Sequence, residues 1–344
     1  MNESRSALLR VTAALAVVFL FTGGAHQLRS GVSSAPDFAC GAGVSDDVSI
    51  EIAKGATGSD IAAQLYEADV IKSGSAFFRL AVADKRSAMI APGAHILSKG
   101  ICAADALDQL LDPKRIAGLI NISEGAWSSE IYKSMVSVGF KQSDIQSAIS
   151  QIKLPRGFKV LEGLLFPAQY SFAAGTSTVD ALQAMVDRAV TELAKSGVST
   201  STGKYSAQDL AVMASIIQAE GKTEDFAKIS RVILNRLEKG MPLQMDSTVH
   251  YVQKIRGNIF LSTKSTLLKS EYNTYRKYGL PPGPIGNPGF AALFASANPA
   301  SGDWIFFVTV APSDTRFTAS YDQFSTWKIE YKKNLRAGLF GGSK

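Results

Sequence analysis

The chain has 344 residues, 46% of them hydrophobic and 19% charged, with a formal net charge of +6. That apolar content excludes a disordered chain, and the length suits about two domains of ordinary size. The charge fits an anionic membrane or wall surface, whereas no dense Lys/Arg run marks a nucleic-acid partner. Three histidines far apart in sequence, His26, His95 and His250, argue against a histidine-based zinc site.

Taken in chain order, the first feature is an apolar run at 11–21 behind Arg5 and Arg10. The wider segment 7–25 approaches the ~20 residues that a helix needs to cross a bilayer. No Lys or Arg comes after it until Arg29, so residues 1–10 are expected in the cytoplasm and the remainder outside. An uncleaved anchor over 1–25 is the preferred reading and a cleaved signal peptide the alternative; both export the rest of the chain. Residues 26–45 read as a linker. Cys40 and Cys102 are the only cysteines, and in an oxidising compartment they are expected to form a disulfide contributing ~3–4 kcal/mol. Asp37 stands where a lipidation box needs a leucine-like residue, which disfavours a lipid-anchored Cys40.

A small α+β unit is expected over 46–113. Val48, Ile50 and Ile52 alternate as a strand, and Ser59-Asp60 can cap a helix bearing Ile61, Leu65 and Tyr66. Phe77, Phe78, Leu80 and Ala81 continue helical spacing. A short strand at 95–97 comes next, and a helix over 103–111 ends at Asp112-Pro113.

A mixed α+β domain is expected over 114–336, with 337–344 as a tail. It begins with a strand at 116–122, then Glu124-Gly125 and a helix from Ser128 or Ser129. The run from Leu161 to Pro167 carries Glu162 and Gly163 among apolar residues, with Tyr170 and Phe172 close behind. This pattern fits a pocket wall or a buried turn equally. Residues 178–196 form an amphipathic helix. A second helix, with Thr223 as its cap, carries Phe226, Ile229, Val232, Ile233 and Leu237 as its apolar stripe. Four prolines and four glycines in 279–289 make a stiff loop able to wall a cleft, and 305–310 reads as a buried terminal strand.

Glu220 stands out chemically. Ser206 caps a helix with Asp209 in its first turn, and Leu210, Met213, Ile216 and Ile217 define its buried face. Glu220 falls three after Ile217 and four after Ile216, on that apolar face, and Gly221 sits next to it where a helix commonly ends. Burial and the negative end of the helix dipole both disfavour the carboxylate, leaving a protonated acid suited to general acid catalysis. The plainer reading is a structural acid that turns to solvent or pairs with Arg231 or Arg236.

The chain resembles the YceG-like family of endolytic murein transglycosylases. The resemblance is carried by Ala214-Ser215-Ile216-Ile217 with Glu220, Asn235-Arg236-Leu237, and Met241-Pro242-Leu243-Gln244 with Asp246 and Thr248. Tyr272-Asn273-Thr274-Tyr275 and Gly279-Leu280-Pro281-Pro282-Gly283 with Ile285 and Pro288-Gly289 extend it. Upstream, Glu124-Gly125 and Leu161-Glu162-Gly163 with Phe166-Pro167 and Tyr170 match in the same order.

The resemblance implies a single-pass inner-membrane enzyme with a periplasmic catalytic domain, a LysM-like module at 46–113 and no cofactor or metal. Its substrate would be the peptidoglycan glycan strand, cut between N-acetylmuramic acid and N-acetylglucosamine, ending the growth of nascent strands beside peptidoglycan synthases. Glu220 would protonate the leaving oxygen and then take a proton from the muramyl C6 hydroxyl, which closes a 1,6-anhydro ring. Glu162, Tyr170, Gln218, Asn235, Gln244, Asp246, Thr248, Tyr272, Asn273 and Tyr275 would bind substrate.

The chain departs from the family pattern at four places. Gln218 replaces an acid found in some relatives, and Ser247 a typical proline. Ala168-Gln169 replaces a more acidic or hydroxylated pair, and Asp314-Thr315-Arg316 stands where a Gly-x-His is frequent. Two other readings are a hydrolase in which Asp246 activates water, and a non-catalytic glycan-binding scaffold.

Overall fold

The computed structural model describes residues 35–41, 46–53, 55–172, 175–199, 203–256 and 261–340. The expected membrane anchor lies outside the described residues. Among those described, no helix is long and apolar enough to cross a membrane. Mixed α and β structure falls into two units, Met1–Ala117 and Gly118–Lys344.

In the first unit, β1 (Asp47–Ile52) pairs antiparallel with β2 (Gly93–Ser98), with Ile50 opposite His95. Helices α1 (Gly58–Glu67), α2 (Gly74–Ala83) and α3 (Ala103–Leu111) complete it. Alternation on β1 sends Ile50 and Ile52 into a core with Ile61, Leu65, Phe77, Leu97, Leu107 and Leu110. Thr57, not Ser59, caps α1, and the Asp60 carboxylate accepts the Thr57 N–H in return.

Cys40 and Cys102 are joined, closing a loop 62 residues apart in sequence. Cys102 is also the N-cap of α3, and the Asp37 carboxylate accepts the Ala103 N–H, satisfying a donor of the first helical turn. Ser73 donates to the Pro36 carbonyl, and the Gly41 N–H donates to Asp105. Residues 35–41 are thus stitched to the small unit and are not a free linker.

The second unit runs β3 (Ile120–Asn121), α4 (Ser128–Ser137), α5 (Gln142–Ile149), β4 (Gln169–Tyr170), α6 (Thr178–Lys195), α7 (Ala207–Glu220), α8 (Phe226–Glu238) and α9 (Asp246–Gln253). It continues with a single turn α10 (Thr263–Thr266), α11 (Phe290–Ala297), β5 (Phe306–Ala311), β6 (Asp314–Thr318) and α12 (Tyr321–Arg336). The strand expected at 116–122 shrinks to Ile120–Asn121, paired with β4, because Gly118 adopts a left-handed φ of 65° and breaks the run. The terminal strand 305–310 is realised as β5, but it is half-buried, pairs with β6 and is covered by α12.

The core is built around α7. Ser206 and Asp209 form the expected capping box. Every residue from Leu210 to Ile217 is buried, because α8, α9 and α11 all pack against α7. Thr223 opens a 3-10 turn before α8 instead of capping it directly.

Candidate active site

Glu220 is the last residue of α7, where the helix ends against α9. Gly221 is extended at φ −155°, so its role is not a left-handed cap. A Cβ there would meet Ile229 Cδ1 at 2.3 Å, so a side chain at 221 would have to displace Ile229 of α8. The Glu220 carboxyl lies at the start of α9, where the first-turn N–H groups have no intrahelical partner. Oε1 accepts the Ser247 hydroxyl at 2.6 Å and the Ser247 backbone N–H at 3.2 Å.

Glu220 as a residue is only half-buried, yet enough protein surrounds its carboxyl group that desolvation raises its pKa above the ordinary carboxylate value. The charge of Asp246 pushes the same way, while the Ser247 donors and Arg236 oppose it. Among the described residues no ion pair to Glu220 forms. Arg231 donates to the Ala300 carbonyl, and Arg236, itself buried, to the carbonyls of Ile305 and Leu243. Both arginines that offered Glu220 a structural role are therefore occupied elsewhere.

Asp246 opens α9 and accepts a short hydrogen bond from the Tyr275 hydroxyl. Burial, followed by this bond to Asp246, raises the Tyr275 pKa, so the phenol stays a donor. Thr274 laces the two segments together: its hydroxyl accepts from the Met245 N–H at 3.0 Å and lies 3.0 Å from that of Thr248. Its carbonyl accepts the N–H of Gln244, a residue held at a left-handed φ of 50° with its side chain exposed. Non-glycine residues in that region are strained and cluster at functional sites.

The residues matched to substrate binding separate by what their polar atoms do. Glu220, Asp246, Ser247 and Tyr275 form one cluster, with Gln244 beside it. Gln218 lines a cavity of about 300 Å³ with Glu124, Ser247, His250 and Arg256. His250 Nε2 is buried with no hydrogen-bond partner among the described residues.

Asn273 and Thr248 are fully enclosed and bonded internally, Asn273 to the carbonyls of Thr266 and Leu268. Asn235 likewise donates to the carbonyls of Gly302 and Trp304. Tyr170 donates to the Phe166 carbonyl and stacks on Phe172. In these four the side-chain donors named above are used within the protein, which fits a role in holding the fold around the site.

Glu162 also faces inward. Burial raises its pKa, and its oxygens accept from the Ser128 N–H, the Tyr251 hydroxyl and Asn287 Nδ2. Tyr272 packs on Tyr251 at 5.3 Å between ring centroids. The Pro/Gly loop is mostly buried and acts as a strap, not as an exposed cleft wall. Ile285 N–H donates to Ser215, Gly289 N–H to Gln218, and Gly125 N–H to the Asn287 carbonyl. Gly163, at φ 89°, lies so close to the strap that a Cβ would meet Pro284 Cγ at 2.5 Å.

Residues to which sequence reasoning gave no role in the site are Ser247, Thr274, Asn287 and Arg256, whose partners lie on distant segments, and His250. Among the described residues, potential metal ligands converge only at Cys40, Cys102 and Asp105, where the disulfide consumes both sulfurs.

Residues 50–329 match the YceG-like family, a stretch that reaches into both units and takes in Glu220 and the residues around it. The chain belongs to the YceG-like family. Within it, the chain is similar to a Bacillus subtilis protein named endolytic murein transglycosylase, 32% identical over 307 residues, covering 83% of this chain and 84% of the relative. A Streptococcus pneumoniae protein of the same name is 36% identical over 156 residues, 43% of this chain but only 28% of that longer protein. The crystal structure of a yceG-like protein from Listeria monocytogenes aligns with a TM-score of 0.55 at 26% identity, covering 82% of this chain and 99% of that one.

Proposed function

We propose that this chain is an endolytic peptidoglycan lytic transglycosylase that cuts glycan strands between N-acetylmuramic acid and N-acetylglucosamine. The observation that carries the reading is the Glu220 carboxyl, whose pKa burial and Asp246 raise and whose partner Ser247 lines the polar cavity. The Bacillus and Streptococcus relatives, named as endolytic murein transglycosylases, support the substrate class.

Glu220 is the single acid and base. It protonates the glycosidic oxygen as the muramyl C1–O bond breaks. The resulting carboxylate then removes the C6 hydroxyl proton while O6 bonds to C1, which restores the acid and forms a 1,6-anhydro end. Asp246 lies beside it, with the Tyr275 hydroxyl fixing its orientation. Gln218, Gln244, His250 and Arg256 contact the sugars. Asn235, Thr248, Asn273, Glu162 and Tyr170 position the walls, and Tyr272 packs behind the strap.

The wider architecture belongs to the same reading. Residues 1–25 anchor the chain in the inner membrane, the first unit is a LysM-like module, the catalytic unit is periplasmic, and peptidoglycan synthases are its partners. The test is Glu220→Gln on purified glycan strands. General acid–base catalysis is worth about 10²–10⁴-fold, so cleavage should fall by at least that while strand binding survives. Full cleavage by the glutamine variant would remove Glu220 from the reaction.

A further inference from the structure

The carboxyl group of Glu220 has two oxygens that its surroundings make unequal. Oε1 receives two donors from one residue, the Ser247 hydroxyl at 2.6 Å and the Ser247 backbone N–H at 3.2 Å. A backbone N–H cannot accept, so Oε1 must be the acceptor in that contact whatever the hydroxyl does. A carboxylic acid has one carbonyl-like and one hydroxyl-like oxygen. The donors at Oε1 assign it the first character and leave the proton to Oε2.

We propose that Ser247 is a positioning residue that confines the mobile proton of Glu220 to Oε2, making that one oxygen both the donor to the leaving group and the acceptor from the C6 hydroxyl. This rests on the reading of Glu220 as the catalytic acid. The proton balance is closed: Oε2–H passes to the glycosidic oxygen as C1–O breaks, and the C6 hydroxyl proton returns to Oε2 as O6–C1 forms. Between these events the negative charge is held on Oε1 by the Ser247 donors, which oppose burial and stabilise the transient carboxylate. Ser247 therefore never exchanges a proton with substrate. It favours the carboxylate that must appear and prevents the proton from migrating to the wrong oxygen.

The groups facing this carboxyl are few, so the effect of Ser247 can be isolated. On α9 it is Asp246, while His250, one turn on, lines the cavity with Ser247. On α8 it is Arg236, and Tyr275 approaches through Asp246. On α8, Lys228 lies over the Phe317 ring and Arg231 is bonded to the Ala300 carbonyl. Helix α11, also against α7, carries no titratable side chain. None of these is altered by changing Ser247.

The experiment compares full-length wild type, Ser247→Ala, Ser247→Thr and Glu220→Gln for cleavage of purified glycan strands across pH. The Glu220 carboxyl is titrated in parallel by ¹³C NMR, assigned by difference against Glu220→Gln. Ser247→Ala loses the stronger donor, so the basic limb of kcat/KM and the NMR titration should both move up by about one unit. Its rate at the optimum should fall about tenfold. Ser247→Thr keeps both donors and should restore the wild-type profile. A basic limb that stays in place or moves down in Ser247→Ala, with Glu220→Gln inactive, would overturn the proposal. Full activity of Glu220→Gln would overturn instead the assignment of Glu220 on which it rests.

Discussion

Replacing Asn287 with alanine should unfold the catalytic unit more easily than any single change at the cavity surface. Asn287 is fully buried within the strap, and its amide joins three segments. Oδ1 accepts the N–H groups of Gly163 at 3.0 Å and Leu165 at 2.8 Å. Nδ2 donates to the Ala126 carbonyl at 2.9 Å and to Glu162 Oε1 at 3.1 Å. In the alanine variant the Ala126 carbonyl keeps the Asn287 backbone N–H, and Glu162 Oε1 keeps that of Ser128. The Gly163 and Leu165 donors lose their acceptor inside the core. At about 1–3 kcal/mol for each orphaned buried donor, the expected loss is about 4 kcal/mol. That is a large share of the about 5–15 kcal/mol that holds a typical domain folded. Urea unfolding of the full chain, followed by circular dichroism, measures it. Asn287→Asp separates the causes, since it keeps the oxygen that accepts both N–H groups but sets a carboxylate against Glu162. Its pKa is then raised in the folded state, so its loss should be small in acid and grow as pH rises. A loss below about 1 kcal/mol for Asn287→Ala would refute the reasoning, because the two N–H groups would then have found other partners.

Cys40→Ser removes a cross-link closing 62 residues and should cost the first unit about 4 kcal/mol on the chain-entropy account, while strand cleavage per folded molecule changes little; urea unfolding and an activity assay on the same sample check both. Gly163→Ala meets both a left-handed φ and Pro284, and should cost about 3 kcal/mol in the same unfolding assay. Gly289→Ala should cost far less, since the atom 2.0 Å from its Cβ is the flexible Glu124 Oε1, which can swing away. Glu220→Gln should be more stable than wild type at neutral pH and equal to it in acid. The raised folded pKa of Glu220 gives stability that is present below the unfolded value of about 4.5 and lost as pH rises through the folded one. Thermal melts across pH measure the difference.

What sequence reasoning reached was local or compositional. The Ser206–Asp209 cap, the apolar spacing behind Glu220 and the lone cysteine pair are all features in which each residue speaks for its neighbours. What it missed depends on segments meeting. Ala211, Ala214 and Ser215 carry no strong apolar signal, so the burial of α7 on every face becomes visible only once α8, α9 and α11 surround it. Ser247 and Glu220 are 27 residues apart, and their contact exists because α9 begins where α7 ends. The Pro/Gly loop looked like a cleft wall because its composition speaks of stiffness but not of which face is covered. Its Asn287, one polar residue among many, gave no hint of its four partners. Helix α12 escaped notice because none of its residues is buried, leaving little periodic pattern to read.

The central claim is that O6 of the substrate, not water, completes the reaction at Glu220. The measurement that tests it most directly is mass spectrometry of the fragments released when the full-length wild-type protein acts on purified glycan strands. The account predicts 1,6-anhydro-muramyl ends, each lighter by one water than a hydrolytic end. Reducing muramyl ends in their place would contradict it and return Asp246 to the role of activating water, even if Glu220 proved indispensable.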